Sequence, residues 1–447
     1  MTSKTTVPRT DYDRRAAARV TTASAIGTVM EWYDFGLYGA ASALVFAPLF
    51  FASSDPVIGV LSSFAVFAVG FFVRPLGGIL AGHFGDRYGR KPILIMTIVL
   101  MGGATVAIGL LPTYESVGIF APVLLVLVRM LQGLGAGAEF AAAVTAVAEY
   151  TPLHRRAFYT SFSQAAVAFA LVLSTGTFAL LSSLPEEILL GWAWRIPFIA
   201  SIVIFLVAFF IRRRVEETPE FTEARKESAE KGKAQKLPIM QVLRERPRAL
   251  LVGIFCGAAL VNTGYVVNTF SLSYITNTLE LPRTVATVGL VAAAVVATLT
   301  IPLFGMLADR IGRRPVYIGG AVFMALFALP LFLLLDTGVP VLVGLALVCA
   351  YGIGFAAMCG AQSAFLAELF PTRYRFSGVA AAREINAMLI GGTTPFIAAA
   401  LVAAAGGEPT LVVPYMILCA VITIVALLLA PKPVAETDVI LTAPNQK

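Results

Sequence analysis

The sequence predicts an all-α membrane protein of twelve transmembrane helices in two pseudo-symmetric six-helix halves. Three observations carry that expectation: the apolar composition, the one-sided placement of Lys and Arg, and a motif that occurs twice, half a chain apart. Of 447 residues, 58% are apolar and 13% charged, with a mean hydropathy of +0.84. Soluble domains carry about 25% charged residues, and a globule this apolar would lack the polar residues to coat its surface. The composition excludes a soluble enzyme, a disordered chain and a nucleic-acid-binding domain; it points to lipid as the outer solvent. The net charge of +7 then asks where the cations sit relative to a membrane. Cys256, Cys349, Cys359 and Cys419 are scattered through apolar runs, without a CxxC or a His/Cys cluster. Neither a metal site nor a disulfide framework is indicated, and no cofactor is expected.

A membrane helix needs roughly 20 apolar residues. Twelve runs qualify: residues 22–48, 57–82, 93–112, 118–147, 157–183, 192–212, 249–276, 285–308, 316–335, 338–367, 377–404 and 410–430. They are unbroken rather than alternating, which excludes a transmembrane β-barrel. The first run is too long for a signal-peptide core and carries Glu31 and Asp34, so it reads as a retained helix. Orientation follows from the cations. Of 33 Lys and Arg, 28 fall before run 1, after the even-numbered runs, or in the tail. The opposite loops hold only Arg283, and Arg74, Arg129, Arg195 and Arg383 lie in or at the edge of runs. The positive-inside rule places both termini in the cytoplasm of a multi-pass inner- or plasma-membrane protein.

Residues 213–248 form the one long polar stretch within the body, a solvated linker. The expected division is a cytoplasmic segment 1–21, a six-helix half 22–212, the linker 213–248, a second half 249–430 and a cytoplasmic tail 431–447. Repeats support it. Gly82-His83-Phe84-Gly85-Asp86-Arg87-Tyr88-Gly89-Arg90-Lys91-Pro92 is echoed by Gly305 to Pro315, which carries Asp309, Arg310 and Arg313, at an offset of 223 residues. Ala148-Glu149, Pro152 and Arg156 are echoed by Ala367-Glu368, Pro371 and Arg375 at an offset of 219. Two related six-span halves are a transporter layout, with the site between them near the midplane.

Within the repeated motif, glycine lets helix ends approach closely. The carboxylate of Asp86 can sit against the positive N-terminal end of another helix, and the arginines can pair with acids at the next helix end, such as Glu149. Gly82, Asp86, Arg87, Gly89, Arg90 and Glu149, with Asp309, Arg310, Arg313 and Glu368, are therefore expected to form a cytoplasmic gate that latches the halves.

The motif resembles the signature loop of the major facilitator superfamily, between its second and third spans. A narrower resemblance, to the metabolite:proton symporter family, rests on Glu31-Trp32-Tyr33-Asp34-Phe35 with Tyr38-Gly39, Arg74-Pro75-Leu76-Gly77-Gly78, Arg129 with Gln132-Gly133, Gly191 to Phe198, Glu216 to Phe221, Arg373 to Gly378, and Gly391-Gly392 to Pro395-Phe396. It covers the whole chain. It implies import of shikimate, 2-oxoglutarate, citrate, other carboxylates, or proline or betaine, with protons as the coupling ion. The sequence departs from the family where Gly137-Ala138-Glu139-Phe140-Ala141-Ala142 stands for the usual Gly-Gly-Glu-Trp-Gly-Gly. It departs again where Arg383-Glu384 replaces an uncharged Gly-Tyr pair.

A charge at mid-bilayer costs ~2.5–3.5 kcal/mol on insertion scales, so each one present has a role to find. Glu31, Asp34, Arg74, Arg129, Glu139, Arg195, Arg383 and Glu384 suggest pairs around a wet cavity. Glu31 and Asp34 share a helix face. Two dehydrated acids this close resist being ionised together, as a proton-carrying site requires. Asp34, deeper in the run, is the better candidate; a permanent pairing with arginine is the other reading. Arg74 and Arg129 can grip a carboxylate with two parallel hydrogen bonds and stay charged when buried, or Arg129 with Gln132 can brace Glu31 or Asp34. Arg195 is an interfacial anchor or an outer substrate contact. Arg383 and Glu384 point roughly 100° apart and cannot simply pair with each other. Tyr38 continues the acidic face, and Asn262, Tyr265 and Thr269 form a polar face on run 7, open to substrate or to helix contact. Arg74, Arg129, Tyr38, Asn262, Tyr265 and Arg383 are the expected substrate contacts. Gly133, Gly135 and Gly137 read as close helix packing.

The expected function is secondary active uptake of a small organic anion, a shikimate-like hydroxy acid or a dicarboxylate, with protons, by a monomer in the lipid bilayer. Facilitated diffusion, proton-driven export, zwitterion uptake and a membrane receptor are the competing readings. No nucleophile–base constellation argues for an enzyme.

Overall fold

Lipid offers no partner to a backbone N–H or C=O, so each apolar run must satisfy its own, and an α-helix does so within one segment. The computed structural model describes residues 14–51, 55–88, 90–137, 139–214, 238–371 and 374–433, with side chains except at 16, 81–94, 139, 142, 208–214 and 238–239. Among the described residues there is helix and no strand.

All twelve runs are helical. Span 1 is Arg14–Leu44. Spans 2 to 12 are Pro56–Leu80, Ile95–Leu110, Phe120–Ala136, Leu153–Leu181, the pair Glu186–Ala193 and Arg195–Val207 bent by 44°, Pro247–Thr278, Arg283–Ile311, Arg313–Leu335, Pro340–Leu369, Arg375–Ala404 and Pro409–Leu428. Eight of these are long and apolar enough to cross a membrane alone, or nine with the bent pair. Span 1 is made less apolar by Glu31, Asp34 and its Thr and Ser residues; spans 3 and 4 are shorter apolar helices, and Glu139–Glu149 follows span 4. Among the described residues span 1 is already helical at Arg14, ahead of residue 22, where Ala16, Ala17 and Ala18 favour helix. Much of the polar linker lies outside the described residues; its end is the short helix Pro238–Glu245, tied to the loop before span 11 by Tyr374 Oη donating to Glu245 Oε2 at 3.2 Å.

Within the first half, span 1 packs on span 5, and span 4 on spans 2 and 3; within the second, span 8 packs on span 10 and span 9 on span 12. The halves meet where span 5 lies against spans 8 and 10, and span 2 against span 11. Spans 2 and 4 touch backbone to backbone. A Cβ on Gly133 would run into the Gly70 carbonyl, and one on Gly137 into the Arg74 carbonyl. The glycines of span 4 are packing residues, as their spacing suggests.

Polar bonds cross between the halves at three levels. At the charged-loop face, the Asp309 carboxylate accepts the backbone N–H groups of Ala157 and Phe158 at 3.0 and 2.8 Å. Near the middle, Gln164 Nε2 donates to Gln362 Oε1 at 2.9 Å and Arg74 Nε to Glu384 Oε2 at 2.8 Å. At the opposite face, Arg283 pairs with Glu186 at 2.9 Å. The described residues hold five π turns: Leu189–Ala193 in span 6, Val266–Phe270 and Tyr274–Thr278 in span 7, Ala350–Phe355 in span 10 and Ala387–Gly391 in span 11. Such turns re-aim the side chains beyond them and occur often at functional sites.

Candidate functional site

Three of the π turns, Val266–Phe270, Ala350–Phe355 and Ala387–Gly391, border one cavity. It has a volume of about 60 Å³ and lies between spans 1, 2 and 5 of the first half and spans 7, 10 and 11 of the second. A water needs ~10–15 Å³ of such space, so there is room for several waters or a small solute. Trp32, Phe35, Phe71, Tyr265, Tyr351 and Phe355 supply aromatic walls; Gln164, Thr175, Asn268 and Thr269 supply neutral polar groups; Arg74 and Arg383 are its two charged residues.

Arg74 is held from both sides. Its Nη2 donates to Glu31 Oε1 at 3.0 Å, and its Nε to Glu384 Oε2 at 2.8 Å, with a longer Nη2 contact to Glu384 Oε1 at 3.4 Å. The Ala136 carbonyl accepts a further bond at 3.3 Å, which the close packing of Gly77 and Gly137 makes reachable. The arginine is 2% exposed, and its Nη1 has no hydrogen-bond partner. Arg383 points into the same cavity, its guanidinium 4.6 Å from the Phe140 ring centre and 5.7 Å from that of Trp32. Arg383 Nη1 and Trp32 Nε1 are also buried without a partner. Three cavity residues thus offer unmet donors, and none among the described residues lining it offers a buried unmet acceptor. That imbalance suits an anion, since an orphaned buried donor is costly until an acceptor reaches it.

Behind the Phe35 and Phe71 wall lies a second buried cation. Arg129 donates from Nη1 to Gln132 Oε1, and Gln132 Nε2 donates to Thr105 Oγ1 at 2.7 Å. Its Nε and Nη2 have no hydrogen-bond partner. Four rings surround it instead: Tyr38, Phe35, Phe67 and Phe71, with centroids 4.0, 4.7, 5.1 and 5.8 Å from Cζ. Gly70 makes room, since a Cβ there would lie 2.5 Å from Arg129 Nε. Asp34 is buried beside Thr105, within electrostatic reach of Arg129. The two acids of span 1 therefore face different arginines, Glu31 meeting Arg74 and Asp34 meeting Arg129.

The other expected residues fall as follows. Tyr265 lines the cavity and meets Phe67 and Phe71 edge-on, with ring centres 5.6 and 5.5 Å apart. Tyr38 lies over Arg129 rather than on the cavity. Asn262 turns away from the cavity and donates to Thr394 of span 11 at 3.5 Å. Asn268 and Thr269 line it, one turn beyond Gly264 and Tyr265 on the same face of span 7. Arg195 donates to the Gly109 and Leu111 carbonyls at 2.9 and 2.6 Å, closing the C-terminal end of span 3.

At the charged-loop face, Arg313 pairs with Asp309 at 3.1 Å and Glu368 at 3.3 Å and donates to the Leu153 carbonyl across the halves. Asp309 meanwhile covers the N-terminal end of span 5, where a carboxylate is favoured by the helix dipole. Gly312, at φ +102, occupies a conformation that L side chains rarely adopt. Arg310 is exposed. Glu149 acts electrostatically on Arg375. Gly89 and the side chains of Asp86, Arg87 and Arg90 lie outside the described residues, and Gly82 is helical within Pro56–Tyr88.

Sequence reasoning missed Glu384 as the partner of Arg74 and missed the aromatic walls. The first had a signal in the acid beside Arg383. Rings on apolar spans give none, because lipid-facing and cavity-facing rings read alike.

Residues 24–383 and 254–444 match the model of the Major Facilitator Superfamily. The shikimate transporter of Escherichia coli (strain K12) is 39% identical over 416 residues, covering 92% of this chain and 94% of its own length. The proline/betaine transporter of Salmonella typhimurium (strain LT2) is 35% identical over 390 residues, covering 85% of this chain and 77% of its own. Among solved structures, the xylose transporter XylE from E. coli, in a partially occluded inward-open conformation, matches with a TM-score of 0.69 at 20% identity, over 95% of this chain and 99% of that one. The chain belongs to the major facilitator superfamily. It is a multi-pass membrane transporter, not an enzyme.

Proposed function

We propose that this transporter takes up a small organic anion, a hydroxylated carboxylate or a dicarboxylate, together with protons across the cell inner membrane. The observation that carries the reading is the set of three unmet donors, on Trp32, Arg74 and Arg383, in a cavity shared by both halves. A carboxylate would take the guanidinium donors, and Gln164, Asn268, Thr269 and Tyr265 would meet hydroxyls or a second carboxylate. In this reading the halves 22–212 and 249–430 rock about the cavity as a monomer, the linker 213–248 tethers them, and segments 1–21 and 431–447 lie with both termini in the cytoplasm. Asp34 carries the coupled proton beside Arg129, with Glu31 in support through Arg74. Asp309, Arg313 and Glu368 close the cytoplasmic side with the first-half motif at Gly82 to Arg90.

A second reading is favoured by the aromatic walls. Rings such as Trp32, Phe35 and Tyr351 can hold a quaternary ammonium, and a zwitterion such as betaine offers the arginines a carboxylate as well. The relative that carries proline and betaine supports keeping both. Thermal shift of purified protein with carboxylates, hydroxy acids and betaines separates them. Uptake into liposomes tests the coupling. Accumulation under an inward proton gradient supports symport; equilibration indifferent to the gradient would replace it with facilitated diffusion.

A further inference from the structure

Glu384 does not line the cavity but holds one of the two arginines that do. It belongs to span 11, in the second half, and its carboxylate grips Arg74 of span 2, in the first, by Nε at 2.8 Å and Nη2 at 3.4 Å. That is the two-point grip by which a guanidinium holds a free carboxylate. Glu31 holds the same arginine by Nη2 at 3.0 Å, but from span 1 of Arg74's own half. When the halves move, Glu31 can travel with Arg74 and Glu384 cannot. The charged or titratable groups around Glu384 are Arg74 across the interface, Glu31 on the same Arg74 Nη2, Tyr265 of span 7, and neighbouring Arg383, which turns toward Trp32 and Phe140.

We propose that Glu384 is a tethered competitor for the substrate's carboxylate: it occupies Arg74 until an incoming anion displaces it. The inference rests on the carboxylate reading of the site and extends it to specificity and coupling. Capture of substrate and loss of an ion pair between the halves become one event, so the interface loosens only when an anion has taken the place of Glu384. A ligand without a carboxylate cannot make that exchange. The competitor also sets a floor on affinity, because every substrate must beat a group already bonded within the protein.

Equilibrium binding to the purified full chain tests this, with shikimate and citrate as probes and the methyl ester of shikimate as the uncharged control. Glu384→Gln removes the rival charge, and carboxylate affinity is expected to tighten about ten- to a hundredfold, the value of a charge-assisted hydrogen bond. The ester should not respond. In an Arg74→Gln background the same substitution should have no effect. A folded Glu384→Gln protein that binds carboxylates no more tightly than wild type would overturn the inference, as would tightening that persists without Arg74. If the Gln variant does not fold, Glu384→Asp keeps the charge but shortens the reach by one methylene; it should tighten binding by a smaller factor, and unchanged affinity overturns the inference equally. Wild-type protein that binds neither probe would reject the carboxylate reading itself, an outcome distinct from a wild type that binds and a variant that does not differ.

Discussion

Arg74 and Arg129 share two rings. Phe35 lies 4.8 Å from one guanidinium and 4.7 Å from the other, and Phe71 lies 5.7 and 5.8 Å away. Both side chains are buried. They are nevertheless balanced in opposite ways. Arg74 faces the cavity and is held by two carboxylates, one from each half. Arg129, among the described residues, makes no ion pair; Gln132 and four aromatic faces surround it, and Asp34 acts from further off. The difference teaches that a buried arginine is not by itself a substrate site. Arg74 has carboxylate partners from both halves and borders the cavity. Arg129 sits behind the wall, where the charge state of Asp34 is what changes its balance.

The largest contrast is expected from truncation. Arg74→Ala leaves Glu31 and Glu384 without their cation, and stranding a buried charge costs ~3–5 kcal/mol. Arg129→Ala strands no directly paired acid and loses mainly its ring contacts, ~2 kcal/mol when desolvated. Thermal unfolding in detergent should therefore fall further for Arg74→Ala. The reverse order would break the comparison.

A transport assay sharpens it. Asp34→Asn mimics the permanently protonated acid, so binding and counterflow should persist while pH-driven accumulation is lost. Glu31→Gln should act more mildly on accumulation and should weaken Arg74 instead. Normal accumulation in both variants and in their double would remove this pair of acids from proton coupling.

Much of this was readable from the chain alone, and for a physical reason. Lipid forces long apolar runs and makes every intramembrane charge conspicuous, so the spans, Arg74, Arg129 and the acids of span 1 stand out. The charge-bearing motif also carries its chemistry openly. The expectation that its acid meets a helix N-terminus is stated for Asp86, outside the described side chains, and Asp309 at the matching place in the second half does so on span 5. Pairing is where the sequence falls silent. Glu384 lies 310 residues from Arg74, and only the packing of span 2 on span 11 brings them together. Asn262, expected on the polar face of span 7, instead meets Thr394 of span 11, a neighbour the chain alone does not reveal.

Two smaller effects refine the picture. Gly70→Ala pushes a methyl group against the Arg129 guanidinium, and overpacking of this kind costs ~1–3 kcal/mol. Stability should drop by about that amount, while carboxylate affinity changes little if Arg129 is not a substrate contact. Tyr265→Phe removes a cavity hydroxyl, worth ~0.5–1.5 kcal/mol if it bonds the substrate. Affinity should weaken about two- to tenfold. Asn262→Ala, turned toward Thr394, should change it less than Tyr265→Phe does; a larger effect would return Asn262 to the site.

The central claim is that one of the two arginines holds the anion and the other does not. Lysine keeps the charge but not the planar fork, so the affinities of Arg74→Lys and Arg129→Lys for a carboxylate, measured side by side on folded protein, address it most directly. Arg74→Lys is expected to bind about ten- to a hundredfold more weakly than wild type, with Arg129→Lys within about threefold of it. A stable Arg74→Lys protein of unchanged affinity, beside a weakened Arg129→Lys, would contradict the account and move the anion to Arg129.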